Sequence, residues 1–326
     1  MKEILIILDG FMEKKFENEN IQSLLLDNIN STFKKHDFSV KEKDIDSLNC
    51  ILNMLGYSPL ENIGDRSFYE GLSQGIVDYE SILRCNIVKA YNNKLVDFTG
   101  GELPENISSI LKDFNINKGY IHPMQGYKNL LVLKEDKIFE RLNPPHFNIG
   151  KDIEGIMPKD KYLKNIIKES NSYFKCLGYE NLYLWPWGAS GKVTMKPFYE
   201  KYKKIGGVIS GIDLVKGIGL ILGLKSIKHS DFTGDIDTNL KGKLKLSLNM
   251  LQEVDVLIVH INGLDEISHR KDFKGKLEFL DKIKKEFLLP LVNNVENTKI
   301  TITCDHRTDC FTGGHEKGWV PIINIV

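Results

Sequence analysis

The stretch EILIILDG at residues 3–10 decides the fold class. It is a short, continuous apolar run that ends in Asp9 and Gly10. A run of this kind is typical of a strand that is buried on both faces in a parallel sheet. Similar runs follow at NLYLWPWG (181–188), GGVISG (206–211), VDVLIVHING (254–263), KITITCDH (299–306) and VPIINIV (320–326). We therefore predict a mostly parallel sheet built from these segments.

Helical patterns lie between the later strands. DLVKGIGLILGL (213–224) follows one strand, and DFKGKLEFLDKIKKEFLLPLV (272–292) follows the next with apolar residues spaced three and four apart. Alternating strands and helices predict a doubly wound α/β fold with helices on both faces of the sheet. Such folds bind ligands beyond the carboxyl ends of their strands. The side chains that fall there are Asp9, Asp265, Asp305 and His306.

The middle of the chain has a different sequence pattern. Residues 85–150 consist of short alternating segments broken by Gly, Asn and Pro, which is typical of antiparallel strands and turns. We predict a small inserted α+β lid domain over 85–150. Residues 1–84 and 151–326 would then form the main domain.

Composition narrows the classes of partner. Lys plus Arg and Asp plus Glu are equal at 44 each in 326 residues, so no charge excess predicts a nucleic-acid partner. No apolar run approaches the roughly 20 residues of a membrane span. The five cysteines form no CxxC pair, which argues against a disulfide framework and against a cysteine zinc site. We expect a cytoplasmic protein without a membrane partner.

Seven side chains can be combined into one candidate metal site: Asp9, Ser47, Asp265, His269, Asp305, His306 and His315. In LDEISHR, Asp265 and His269 are four residues apart, so a helical turn would place both on one face. A single pair of this kind also arises by chance, as a capping Asp or a surface His. Three strand ends that each supply an Asp favour a site, and oxygen and nitrogen ligands without thiolates suit Mn²⁺ or Zn²⁺.

Several motifs then occur in an order that is similar to that of a known family. They are ILIILDG, MLGYSP, LRCN, PPH, LWPWG, GVISGIDLVKGIG, TGDIDTN, VHINGLDEISHRKDFKGK and TCDHRTDC followed by His315. The chain resembles the archaeal-type cofactor-independent phosphoglycerate mutases, which are members of the alkaline phosphatase superfamily, over nearly its whole length. The resemblance implies an isomerase of glycolysis, an alkaline-phosphatase-like fold and two divalent metal ions.

The resemblance also implies roles for individual residues. One ion would be held by Asp265, His269 and His315, and the other by Asp9, Ser47, Asp305 and His306. Ser47 would be the nucleophile that becomes phosphorylated, since a divalent ion can activate a serine hydroxyl without a histidine base. The substrate would be a small phosphorylated acid, with Arg84, Arg66 and His146 as its contacts. A surface role for either arginine, or a turn role for His146, stays open.

Departures from the family pattern concern the substrate. Leu48 and Ile51 stand where the family has an acidic residue and a His, and VDFTGGELPEN (96–106) contains no arginine where the family's lid has several. A mutase must hold its dephosphorylated intermediate, whereas a phosphatase needs only water. A metal-dependent phosphomonoesterase is therefore the alternative, and a non-catalytic descendant that keeps the metals for binding is a third possibility. The sequence does not determine the oligomeric state.

Overall fold

The chain forms two compact units in a computed structural model that describes residues 1–58, 60–137, 139–140 and 142–325. The larger unit comprises Met1–Ile63 and Thr194–Val326, and the smaller unit comprises Gly64–Val193. The strands are β1 (Lys2–Leu8), β2 (Thr32–His36), β3 (Ser81–Tyr91), β4 (Lys94–Asp97), β5 (Gly119–Pro123), β6 (Lys128–Leu133), β7 (Leu182–Ser190), β8 (Gly206–Ile209), β9 (Lys225–Ser226), β10 (Val256–Ile261), β11 (Thr298–Thr303), β12 (Arg307–Asp309), β13 (Gly314–Glu316) and β14 (Val320–Ile325).

The helices include the segments predicted from apolar periodicity. They are α1 (Ile21–Leu26), α2 (Ser47–Met54), α3 (Arg66–Ser73), α4 (Ile107–Asp113), α5 (Ile153–Ile156), α6 (Lys161–Cys176), α7 (Phe198–Tyr202), α8 (Asp213–Ile221), α9 (Leu240–Met250), α10 (Gly263–His269), α11 (Phe273–Ile283) and α12 (Leu289–Asn294). A π-helical turn at Lys284–Leu288 joins α11 to α12. Pro290 follows that turn and has no N–H to donate, so the regular helical ladder is interrupted there. None of the described helices is both long enough and apolar enough to cross a bilayer.

The larger unit is built on a seven-stranded sheet among the described residues, in the order β2-β14-β11-β1-β10-β8-β9. β1 pairs in parallel with β10 and with β11, β8 is parallel to β10 and β9, and β14 and β2 are antiparallel at one edge. Ile6, Ile7 and Leu8 are all fully buried, as expected of a strand covered on both faces. The predicted α/β class with a mostly parallel sheet is confirmed.

One predicted strand belongs elsewhere. NLYLWPWG contains β7, which pairs antiparallel with β3 in the smaller unit instead of joining the parallel sheet. The prediction was wrong because a continuous apolar run records burial on both faces and carries no information about which strand lies beside it.

The smaller unit is an antiparallel sheet with helices. Its strand order is β4-β3-β6-β5, and a fifth strand, β7, also pairs antiparallel with β3. Leu163 and Phe174 of α6 pack in one apolar cluster with Leu182 and Leu184 of β7. The unit therefore extends beyond the predicted insertion of 85–150 at both ends. Its role as a lid stays a prediction.

Candidate metal centre

Three neighbouring strand ends bring the first group of side chains together. Asp9 follows β1, Asp305 follows β11 and His260 lies in β10, and β1 lies between the other two strands. One potential ligand atom from each of these residues lies within 4.8 Å of the others, and all three side chains are buried. His260 Nε2 is 3.1 Å from Asp9 Oδ2. The parallel topology thus produces the predicted convergence at the carboxyl edge of the sheet.

A second group lies around Asp265. Asp265, His306 and His315 offer ligand atoms within 4.8 Å of one another. Asp265 and His269 are both in α10, and His269 Nε2 lies 3.1 Å from Asp265 Oδ2, as the spacing of four residues predicts. His315 Nε2 is 3.6 Å from Asp265 Oδ1.

Ser47 and His306 lie where the two groups meet. Ser47 is the first residue of α2, which Asp46 caps by accepting a 2.8 Å hydrogen bond from the Asn49 N–H. The Ser47 Oγ is 3.2 Å from His306 Nε2. The same nitrogen is 3.5 Å from Asp9 Oδ1 and 3.4 Å from Asp305 Oδ2. All seven candidates of the sequence therefore lie in one contiguous cluster within the larger unit.

The donor set fits divalent cations. Asp9 is 0% exposed and Asp305 1%, and neither oxygen of the Asp305 carboxylate accepts a hydrogen bond from the described residues. Burial lowers the pKa of His260 to about 4 and also lowers the pKa of His306, so both imidazoles are neutral at neutral pH. Buried carboxylates are normally paired with a cation or neutralised, and a divalent metal ion bound here would supply the missing positive charge.

Backbone carbonyls orient two of the imidazoles. His269 donates from Nδ1 to the Gly313 carbonyl at 2.8 Å, and His315 donates from Nδ1 to the Ile45 carbonyl at 2.7 Å. Each ring therefore directs its Nε2 toward Asp265. Although burial acts in the opposite direction, the Asp265 carboxylate raises the pKa of His269 to about 9 and also raises the pKa of His315, so a bound metal ion would take the place of the Nε2 proton. Such hydrogen bonds to metal-binding imidazoles fix the tautomer and the ring orientation.

His260 was not among the residues predicted from the sequence. It stands inside the apolar run VDVLIVHING, and its Nδ1 is 3.4 Å from Ser210 Oγ. An imidazole near the carboxyl end of an otherwise apolar parallel strand is a signal that could have identified it. Its proximity to Asp9 depends on β10 and β1 being neighbours, which the sequence does not specify.

The three predicted substrate contacts lie together in the smaller unit. Glu70 accepts from both arginines, with its Oε1 2.7 Å from Arg66 Nε and its Oε2 3.0 Å from Arg84 Nε. The Arg84 guanidinium stacks 4.5 Å from the centre of the Trp187 ring, and the His146 ring meets Trp187 edge-on at 5.2 Å. Neither Glu70 nor Trp187 is among the contacts predicted from the sequence.

Glu70 is expected to be essential to this cluster. Its side chain is buried, and although burial favours the neutral acid, the Arg84 and Arg66 charges outweigh that effect and lower the pKa of the Glu70 carboxyl. Glu70→Ala would leave Arg84 buried and unpaired, so we expect a loss of about 3–5 kcal/mol in the free energy of unfolding. Urea titrations followed by tryptophan fluorescence measure this. Glu80→Ala, which breaks an exposed pair with Lys192, should lose less than about 1 kcal/mol.

The Glu70 contribution should also depend on pH. Because the folded pKa lies below the ordinary value of 4.5, the stabilisation is fully present at neutral pH. The stabilisation by Glu70 decreases when the pH falls below 4.5, and it is lost once the pH is below the pKa of Glu70 in the folded protein. The difference in unfolding free energy between the wild type and Glu70→Gln should therefore narrow on acidification. A difference that is constant or grows toward acid would contradict the assignment.

Comparison with known proteins identifies the family of this chain. The sequence pattern of the metalloenzyme superfamily matches residues 1–325. A 2,3-bisphosphoglycerate-independent phosphoglycerate mutase from Methanosarcina barkeri is 27% identical over 296 residues, covering 83% of this chain and 74% of that protein. Relatives with this name confirm the resemblance drawn from the motifs.

Two solved structures share the fold. A protein from Pyrococcus horikoshii has a TM-score of 0.74 at 22% identity, covering 99% of this chain and 87% of that one. A cofactor-independent phosphoglycerate mutase from Thermoplasma acidophilum has a TM-score of 0.57 at 17% identity, covering 100% of this chain and 90% of that one. The superfamily match covers nearly the whole chain, and the chain shares its fold with these structures. This chain therefore belongs to the metalloenzyme superfamily.

Proposed function

We propose that this protein is a metal-dependent phosphotransferase of the phosphoglycerate mutase type, which moves a phosphoryl group through Ser47 on a small phosphorylated acid. The observation that carries the proposal is the position of the Ser47 hydroxyl, 3.2 Å from His306 Nε2 at the meeting point of the two ligand groups. A purely structural metal site has no use for a serine hydroxyl there. The name of the Methanosarcina barkeri relative supports phosphoglycerate as the substrate. A role in glycolysis stays a prediction from the resemblance.

The proposed ligand sets are those that the resemblance implies. One ion would be held by Asp265, His269 and His315, and the other by Asp9, Ser47, Asp305 and His306. Contacts of 3.1 Å between His269 and Asp265, and of 3.4 Å between His306 and Asp305, agree with this division. His306 also has a potential ligand atom within 4.8 Å of those of Asp265 and His315, so it lies beside both proposed sites. When bound, Mn²⁺ or Zn²⁺ would act as Lewis acids that neutralise charge on the phosphoryl oxygens.

The residues of the chain would act in two successive transfers. In the first, Ser47 Oγ forms a bond to phosphorus, the substrate P–O ester bond breaks, and the serine proton passes to the departing oxygen. In the second, a neighbouring hydroxyl of the same molecule attacks the phosphoserine and restores the Ser47 hydroxyl. Both steps require the acceptor to be held in line with phosphorus. We propose Arg84, Arg66 and His146 as the contacts that hold the substrate.

A phosphomonoesterase is the second candidate, and one observation favours it. Glu70 already binds both of these arginines, and the segment 96–106, which includes the end of β4, adds no further arginine. Fewer uncompensated cations are then available to hold a dephosphorylated intermediate. Water would attack the phosphoserine in that case and release inorganic phosphate. The cytoplasmic location and the lid role of the smaller unit stay predictions.

The decisive experiment follows both products at once. The protein loaded with Mn²⁺ is incubated with 3-phosphoglycerate, and 2-phosphoglycerate and inorganic phosphate are quantified over time. We expect 2-phosphoglycerate to accumulate with little free phosphate. Release of one phosphate for every substrate molecule consumed would assign the hydrolase instead. No turnover of 3-phosphoglycerate or of a panel of monoesters would favour the non-catalytic possibility.

A further inference from the structure

A buried ion pair lies beneath the candidate metal centre. Lys276 of α11 is 0% exposed and Glu13 is 1% exposed, and Lys276 Nζ is 3.0 Å from Glu13 Oε2. The ammonium also donates to the carbonyl oxygens of Gly10 and Thr308, each at 3.0 Å. Its three protons therefore have three protein acceptors.

Both carbonyls belong to segments that carry candidate ligands. Gly10 directly follows Asp9. Thr308 lies two residues after His306, and its hydroxyl donates to Asp265 Oδ1 at 2.6 Å. A single ammonium thus connects the segment after β1 to the segment after β11.

These two segments have little freedom to shift. Gly10 has a φ of +62°, and a Cβ at this position would lie 2.7 Å from the Asp265 Cα and from the Thr308 Oγ1. The Thr308 N–H donates to the Met12 carbonyl at 3.1 Å. Because Gly10, Asp265 and Thr308 are packed this closely, even a small displacement of either segment would change the distances between Asp9, Asp265 and His306.

Stability alone does not require an ion pair at this position. Replacing a buried pair by uncharged residues of similar volume is often neutral or stabilising, because desolvation offsets the attraction. The two carbonyl contacts, in contrast, need a donor that reaches both segments at once. We propose that Lys276, balanced by Glu13, is a positioning residue that holds the Asp9 and Thr308 segments at metal-binding separation. This inference rests on the proposed metal centre, and it holds for transfer and for hydrolysis alike.

The test compares two variants that differ only at Lys276. Glu13→Gln keeps an oxygen acceptor for Lys276 and both carbonyl contacts, and it should lower stability because the buried ammonium loses its counter-charge. The double variant Glu13→Gln/Lys276→Met loses the contacts without leaving a buried charge. Mn²⁺ affinity is measured by calorimetry well below the unfolding temperature, and stability is measured separately by thermal unfolding without metal. We expect the double variant to bind Mn²⁺ about 10–100-fold more weakly than Glu13→Gln, as for other changes behind metal ligands.

A third variant controls for general loss of stability. Leu291→Ala removes a buried side chain of α12 and so opens a cavity there. The neighbouring Val292 lines a space with Thr298 and Ile300, which lie at the start of β11. Asp305 follows the opposite end of that strand, so the cavity lies away from the candidate metal centre. This variant should be less stable and should bind Mn²⁺ like the wild type. Equal affinities in Glu13→Gln and the double variant would overturn the positioning role and leave the metal centre intact. A wild type that binds neither Mn²⁺ nor Zn²⁺ would overturn both.

Discussion

Replacing Ser47 by alanine is expected to abolish phosphoryl transfer, with a rate loss on the order of 10³-fold or more, because the variant lacks the hydroxyl on which the proposed covalent intermediate forms. The expectation rests on the position of the Ser47 hydroxyl, whose Oγ lies 3.2 Å from His306 Nε2. Ser47 is the first residue of α2. The measurement is the conversion rate of 3-phosphoglycerate by the Mn²⁺-loaded variant. Mass spectrometry of the protein after brief exposure to substrate should detect a phosphate adduct in the wild type and none in the variant.

Two controls distinguish the loss of a nucleophile from a general loss of structure. Ser23→Ala removes an exposed hydroxyl from α1 in the same unit and should leave the rate unchanged. Ser47→Ala should still bind Mn²⁺, since the carboxylates and imidazoles of the cluster remain. Transfer at the wild-type rate by Ser47→Ala would refute the proposed nucleophile, whatever the reaction products are.

Asp305→Asn is expected to change stability in opposite directions with and without metal. Without metal, the substitution removes a buried carboxylate that receives no hydrogen bond from the described residues, so the free energy of unfolding should rise by about 1–3 kcal/mol. With metal, the loss of an anionic ligand should abolish most of the stabilisation by Mn²⁺ and reduce transfer at least about 100-fold. Thermal unfolding with and without Mn²⁺ measures both effects.

Asp309 supplies the matched control for this experiment. Its carboxylate accepts hydrogen bonds from the Phe311 and Thr312 N–H groups at 2.8 and 2.7 Å. Although burial acts in the opposite direction, these donors lower the pKa of Asp309. Asp309→Asn should therefore reduce stability without metal, the reverse of Asp305→Asn. If both substitutions destabilise the metal-free protein equally, the buried carboxylate of Asp305 is not under the electrostatic strain that a metal ion would relieve.

Local pattern was sufficient for much of the larger unit. The apolar runs identified β1, β8, β10 and β11, and the polar residues that follow them lie at one edge of the sheet. The spacing of Asp265 and His269 predicted their contact correctly, because helical periodicity depends only on neighbours along the chain. The order of motifs also led to Ser47, which no periodicity distinguishes.

Tertiary structure decided the features that depend on which elements become neighbours. β7 joined the antiparallel sheet because its partner is β3, and His260 reached Asp9 because β10 pairs with β1. Lys276 and Glu13 are 263 residues apart, and no pattern in the sequence predicts their pairing. The sequence by itself therefore determined most strands of the larger unit, the helical spacing and most of the candidate metal ligands, since these follow from burial, local geometry and the order of the motifs. Only the tertiary structure decided that Lys276, Glu13 and His260 are buried beside these ligands. A buried ammonium or imidazole needs hydrogen-bond acceptors, and here segments distant in the sequence supply them.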